Sequence, residues 1–206
     1  VKGFGHVSAR IPKSDLILIT PRVSLELVRE HHLVVLNLKG EIIKGKTSPP
    51  FEAPLHVAIF NERPEINAIA RIHGRMANLF SVTDKKIEPV HNHGSFFYGG
   101  VPVFPKTELI STQELGKEVA SMLAAKPAIL LRGNGQVTLG RNIPEAVIMA
   151  IYLEEAADLL YGALQIGTPI HLSDEESASR QVESLPPVDL ERAWNFFKNK
   201  ITKGKK

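Results

Sequence analysis

Pro49-Pro50-Phe51-Glu52-Ala53-Pro54-Leu55-His56, followed by Ala68-Ile69-Ala70-Arg71-Ile72-His73, is the stretch whose reading decides the fold. Ser48 and Pro49 read as the N-cap and first position of a helix, and Phe51, Leu55, Ala58 and Ile59 then recur at helical spacing until Pro64. That spacing sets Glu52 and His56, four residues apart, on a stripe beside the apolar one. Residues 67–73 alternate as a strand, with Ala68, Ala70 and Ile72 on one face and Ile69, Arg71 and His73 on the other. Two polar side chains therefore point the same way.

Upstream, residues 16–20 and 33–38 are β-rich, and 42–43 make a return strand after the turn at Gly40, giving a small meander. Downstream, a short helix is expected over 76–82, then a β-rich segment over 90–105 that holds His91 and His93. Residues 112–125 read as a helix with Ser111 and Glu114 as its capping box and Leu115, Val119, Met122 and Leu123 as its core face. Gly133-Asn134-Gly135 between strands 128–131 and 136–139 signals a hairpin, because Asn and Gly tolerate positive φ. A long helix over 143–164 follows, capped by Asn142 and ended before Gly167. Pro186-Pro187 then separates one domain, residues 1–185, from an appendage of 186–206 made of a last amphipathic helix near 190–197 and a lysine-rich tail.

The composition agrees with a single globular domain: 206 residues, 43% hydrophobic and 23% charged, are enough for a real core. No run of about 18 apolar residues and no secretory leader is present, so the chain, which begins at Val1, is expected to be cytoplasmic and free of membrane contact. With no cysteine, disulfides, thiolate zinc sites and thiol nucleophiles are excluded. The net charge of +3 belongs to the tail, where Lys198, Lys200, Lys203, Lys205 and Lys206 fall. The body has no basic stripe interleaved with aromatics, so a small molecule, not nucleic acid, is the expected partner.

Gly3-Phe4-Gly5 lacks the third glycine and helix of a dinucleotide fingerprint. No Walker motif, Gly-x-Ser-x-Gly elbow or His-Glu-x-x-His is present, which leaves P-loop, serine hydrolase and zincin chemistry unsupported. What remains is Glu52 on a helix, Arg71 and His73 on the next strand, and His91 with His93. Two histidines at i and i+2 of a strand share a face and can reach one metal; the alternative is a surface loop that carries two histidines. His6, His31, His32 and His171 read as ordinary surface or turn histidines.

Several motifs in this order resemble the class II aldolase/adducin family. Pro49 to His56, then Arg63-Pro64-Glu65, then Ala68 to His73 are similar to the family's Ser-Ser-Glu-x-x-x-His, Arg-Pro-Asp and Ala-Val-Val-His-x-His. Gly5-His6-Val7-Ser8-Ala9-Arg10 resembles Gly-Asn-x-Ser-x-Arg, and Leu18-Ile19-Thr20-Pro21 resembles Leu-x-Thr-Pro. Leu130-Leu131-Arg132-Gly133-Asn134-Gly135 resembles Leu-Leu-Arg-x-His-Gly, and Tyr152 to Ala157 the closing helix. Pro102-Val103-Phe104, Leu131-Arg132-Gly133, Leu153-Glu154-Glu155 and Trp194 with Phe197 look closer to the branch of hydroxy-aromatic acid decarboxylases.

The resemblance implies a three-layer α/β/α domain with a largely antiparallel sheet, assembled as a homotetramer. It also implies a divalent ion, zinc or manganese, held by one carboxylate and three histidines. Carried over by position, Glu52 is the carboxylate and His73 one histidine, while Arg71 and Asn134 stand where two others belong. Arginine has no lone pair to offer and asparagine only a weak carbonyl oxygen. Pro49-Pro50 and His6 likewise replace the hydroxyl pair and the asparagine that bind phosphate in the sugar-phosphate members.

These substitutions lead to a lyase of decarboxylase or aldolase type for a small hydroxy or carboxylate substrate, with a rebuilt centre. Glu52, Arg71 and His73 are expected to be catalytic, and Ser8, Arg71 and Asn134 to bind substrate. A metal, if kept, would use Glu52 and His73 with His91 or His93. The other reading is a catalytically silent, adducin-like member that serves binding or assembly.

Overall fold

The computed structural model describes residues 3–183 and 187–203. Eight strands form one sheet in the order β4-β3-β2-β1-β5-β8-β7-β6. They are β1 (Gly5–Arg10), β2 (Leu16–Ile19), β3 (Val34–Asn37), β4 (Ile42–Lys44), β5 (Ala68–Ile72), β6 (Val103–Phe104), β7 (Ala128–Leu131) and β8 (Gln136–Gly140). Every neighbouring pair is antiparallel except β6 and β7, which run parallel. The sheet and the meander are those expected.

β1 is the strand that the hydrophobic pattern does not announce, and it lies at the centre, between β2 and β5. Its alternation is polar against small apolar. Val7 and Ala9 pack with Ala68 and Ala70 of β5, while His6 stands directly across from Arg71 on the opposite face. A run of His, Ser and Arg on one face scores poorly as a strand, because the signal for a buried strand face is apolar side chains.

Helices cover both faces. α1 (Ala53–Glu62) and α3 (Gln113–Leu123) close one side over Ile17, Ile19, Val34, Leu36, Ile69, Val137 and Leu139. On the other side lie α2 (Arg75–Phe80), α4 (Ile143–Ile166) and a 3-10 turn, Asn92–Phe97, around Met76, Phe97, Leu130, Ile148 and Leu153. Ala146 and Ala150 of α4 rest on Ala68 and Ala70, and this pairing of small residues brings the helix close to the sheet centre. α5 (Asp174–Glu183) and α6 (Pro187–Lys203) complete the chain. Leu190 of α6 is buried against the α4 side. The tail lysines Lys205 and Lys206 and the break at Pro186 lie outside the described residues.

Local chemistry shifts several expected boundaries. α1 begins at Ala53 with Glu52 as its N-cap residue, not at Pro49, and Pro54 sits in its first turn. Thr112, not Ser111, caps α3 by accepting the Leu115 N–H; the Ser111 N–H is turned back onto the Leu109 carbonyl. Met122 is exposed, since α3 meets α1 through the small residues Gly116 and Ala120 along with Val119 and Leu123. Residues 92–97 coil as a 3-10 turn where a β segment was expected, so His91 and His93 do not share a strand face.

Candidate active site

β5 and its flanks set the geometry. Arg71 is its last fully buried residue, and His73 follows it at the strand end. The next residue, Gly74, is the N-cap of α2, and the Glu154 carboxylate of α4 accepts the N–H groups of Met76 at 2.6 Å and Ala77 at 3.0 Å. A Cβ on Gly74 would overlap that carboxylate, so a larger residue here would push Glu154 off the two N–H groups it accepts. The β7–β8 hairpin carries Asn134 toward the same place. Gly135 holds φ of +87° there, and any side chain on it would strike the Ile72 carbonyl.

Glu52, Arg71, His73 and Asn134 form one connected group. Nε of Arg71 lies 2.9 Å from Glu52 Oε2, and an Arg71 Nη2–H donates to Oε1 at 3.3 Å. The Nε–H is not aimed at the oxygen, so the first contact is ionic and only the second is a hydrogen bond. Arg71 Nη1 approaches both ring nitrogens of His73, at 2.9 and 2.7 Å. No single lone pair satisfies both distances, so the amino group rests against the ring itself. His73 Nε2 in turn lies 3.1 Å from Asn134 Oδ1, which accepts only a proton, so Nε2 is the protonated nitrogen.

Behind Glu52 stands a second chain of contacts: His6 Nε2 to Glu52 Oε2 at 3.3 Å, His6 Nδ1 to His56 Nε2 at 2.6 Å, and His56 Nδ1 to Ser8 Oγ at 2.6 Å. All four groups are buried. An ionised Glu52 only accepts, which fixes the polarity of the rest: Ser8 donates to His56, His56 to His6, and His6 to the carboxylate. Each nitrogen is satisfied with both rings neutral.

The electrostatics follow the geometry. Burial opposes ionisation of Glu52, but the His6 hydrogen bond and the Arg71 charge outweigh it and hold the carboxyl below its ordinary range. Burial pushes His6 down, partly offset by Glu52, and drives His56 well below the usual histidine value, with His6 and Arg71 acting the same way. His73 is lowered by burial and then by Arg71. Because the unfolded chain takes up protons that the folded histidines refuse, stability falls as pH drops below about 6.5. Glu52 adds a loss of the same sign below about 4.3. Thermal melts at pH 7.5 and 5.5 are therefore expected to show a midpoint several degrees lower at the acid value; an unchanged or higher midpoint contradicts neutral buried histidines.

His6 thus corrects its reading as a surface histidine. Its cross-strand place opposite Arg71 puts it inside, and His56 enters the same chain without having been singled out. The sequence signals for them are the alternation of β1, the four-residue step from Glu52 to His56, and the two family motifs, in which His6 stands at an asparagine position and His56 at the histidine. Ser8 faces His56, buried, and its hydroxyl is engaged there. His91 and His93 are not brought to this centre as a metal-holding set: His93 stacks flat on Tyr152 at 4.0 Å and lies 3.9 Å from Glu155, held there by the 3-10 turn.

The donor set does not fit a divalent ion. Both Glu52 oxygens face a guanidinium, the same group lies against His73, and Arg71 and Asn134 supply a cation and a neutral amide in place of nitrogen ligands. Among the described residues, no group of three His, Asp or Glu side chains is arranged to hold a metal.

The family model for the class II aldolase and adducin N-terminal domain matches residues 1–161. The L-fuculose phosphate aldolase of Methanococcus maripaludis is 35% identical over 161 residues, covering 76% of this chain and 83% of that protein. The 3,4-dihydroxyphthalate decarboxylase of a Terrabacter species is 33% identical over 171 residues, 75% of this chain and 70% of that one. Among solved structures, an aldolase II superfamily protein from Pseudomonas syringae superposes with a TM-score of 0.84 at 21% identity, covering 99% of this chain and 85% of the other, which bears on the fold alone. The three-layer domain built around Glu52 and β5 is a class II aldolase fold, and the chain belongs to the class II aldolase/adducin family. Among the described residues no helix is long and apolar enough to cross a membrane.

Proposed function

We propose that the protein is a carbon–carbon lyase of decarboxylase or aldolase type, acting on a small substrate with hydroxyl and carboxylate groups, in which the Arg71 guanidinium supplies the positive charge of the centre. The observation that carries this reading is the complete burial of Arg71 between Glu52 and His73. Relatives named as aldolases and as decarboxylases support the reaction class.

Charge bookkeeping within the pair gives a workable cycle. The ionised Glu52 takes a proton from a substrate hydroxyl, and the negative charge moves from the carboxylate to the substrate oxygen, next to the same guanidinium. In the aldolase case the carbon–carbon bond then breaks, the oxyanion becomes an aldehyde that leaves, and the electron pair forms an enolate; in the decarboxylase case the carbon bearing the carboxylate is protonated first, and carbon dioxide leaves as the carbon–carbon pair restores the substrate oxyanion. Glu52 returns the proton to carbon. His6, with His56 and Ser8 behind it, holds the carboxylate ionised between turnovers, while His73 orients Asn134, whose amide N–H groups offer donors to the substrate. The protein is further proposed to work in the cytoplasm as a homotetramer.

Assays of hydroxy-carboxylic acids and sugar phosphates for carbon dioxide or aldehyde release test this. Glu52→Gln is expected to lower the rate about 100-fold or more, the usual worth of a positioned acid–base group, with a melting midpoint lowered by the loss of the Arg71 pair but a transition still cooperative and above the assay temperature. No turnover of any panel member by the unaltered protein favours the silent, adducin-like reading, which the saturated hydrogen bonding of Glu52 also suits.

A further inference from the structure

We infer that the cavity between α4 and α6 is a binding site for a free α-amino acid with an apolar side chain, held as its zwitterion.

The cavity holds 560 Å³, within the range of small-ligand sites, and none of its walls belongs to the Glu52–Arg71 centre. α4 contributes Tyr152 and Glu155, and α6 contributes Asp189, Arg192, Phe196 and Phe197. Tyr152 is the buried member, 7% exposed, with its ring stacked on His93 at 4.0 Å. Its hydroxyl nevertheless makes no hydrogen bond with a described residue, whereas a buried phenol ordinarily finds a partner. Burial, and then the charges of Glu155 and Asp189, raise the pKa of that hydroxyl, so both carboxylates act on the same spot.

The charges around the hydroxyl are left open. Asp189 and Arg192 stand three residues apart on one face of α6, yet neither pairs with the other or with another described residue. Glu155 has His93 alone, at 3.9 Å. Arg180, also at the wall, already has a partner. Phe196, 62% exposed, and Phe197, edge-on to it at 5.1 Å, supply the apolar side.

A zwitterion answers each of these groups. Its ammonium donates to the Tyr152 hydroxyl and pairs with Glu155 and Asp189, its carboxylate pairs with Arg192, and its side chain covers the two phenyl rings. A phosphate or a simple acid would meet two carboxylates. A plain amine would bring a second cation beside Arg192 and leave that guanidinium unanswered.

Isothermal titration calorimetry on the full chain with L-phenylalanine, phenethylamine and phenylpropionate separates these ligands. Phenylalanine is expected to saturate one site per chain and to bind about tenfold or more tighter than either of the other two, each of which lacks one of its charges. Tyr152→Phe should weaken phenylalanine about threefold to tenfold, and Arg192→Gln about tenfold. The Tyr152 hydroxyl has no described partner to lose and Arg192 is exposed, so both variants should keep the melting temperature. The inference is overturned by an absence of saturable phenylalanine binding, by equal or tighter binding of phenethylamine or phenylpropionate, or by an affinity for phenylalanine indifferent to both substitutions. Neither residue belongs to the Glu52–Arg71 centre, so this result and the Glu52 rate test stand or fall separately.

Discussion

Arg71→Ala is expected to destabilise the protein by about 3–5 kcal/mol, the cost of leaving one partner of a buried ion pair alone. Arg71 is 0% exposed and is, among the described residues, the main counter-charge at the Glu52 carboxylate, so truncation strands an anion and opens a cavity at once. For a chain of this size each kcal/mol moves the melting midpoint by about 2–4 °C, giving a fall on the order of 10 °C. The Glu52→Gln/Arg71→Met pair removes both charges together and should recover much of that loss. A change below about 1 kcal/mol for Arg71→Ala in urea or thermal unfolding contradicts the pairing.

The second large effect is a gain. Arg71→His with Asn134→His restores nitrogen ligands at the two positions where the family resemblance expects them, beside Glu52 and His73. One carboxylate and three imidazoles suit zinc, and the repelling guanidinium is gone. The double variant is expected to bind about one zinc per chain and to gain about 3–4 kcal/mol of stability when zinc is present at 100 to 1,000 times its dissociation constant. Either substitution alone leaves one position unrestored and should bind much more weakly. A double variant that takes up no zinc shows that the side chains at 71 and 134 do not surround the ion's place.

Much of this architecture was legible in the chain. The Leu55–Ile59 spacing, the alternation of β5 and the Gly133-Asn134-Gly135 turn each obey one strong local rule and each element formed, although α1 starts at Ala53 and leaves Phe51, read as part of its apolar face, in solvent. β1 was hidden, because its inward face is polar: His6 and Ser8 bond His56 and Glu52, and Arg10 bonds backbone carbonyls, in place of a hydrophobic core. Arg10 bonds the carbonyl of Ile66 at 2.8 Å, a purely tertiary partner. The same blindness covered the centre. Glu52, Arg71, His73 and Asn134 were singled out through motif order; His6 and His56 lie in the same motifs, but their burial against Glu52 comes from cross-strand register and a helix face, which appear only when β1 is placed between β2 and β5. His91 and His93 went the other way: a strand pattern suggested a shared face, and packing of His93 on Tyr152 fixed a turn.

Metal analysis of the unaltered protein, expressed with zinc and manganese supplied and purified without chelator, tests most directly whether Arg71 carries the charge of the centre. Far less than one ion per chain is predicted, with turnover and ligand binding unchanged by a chelator. One tightly held zinc or manganese per chain, whose removal abolishes activity, would contradict it.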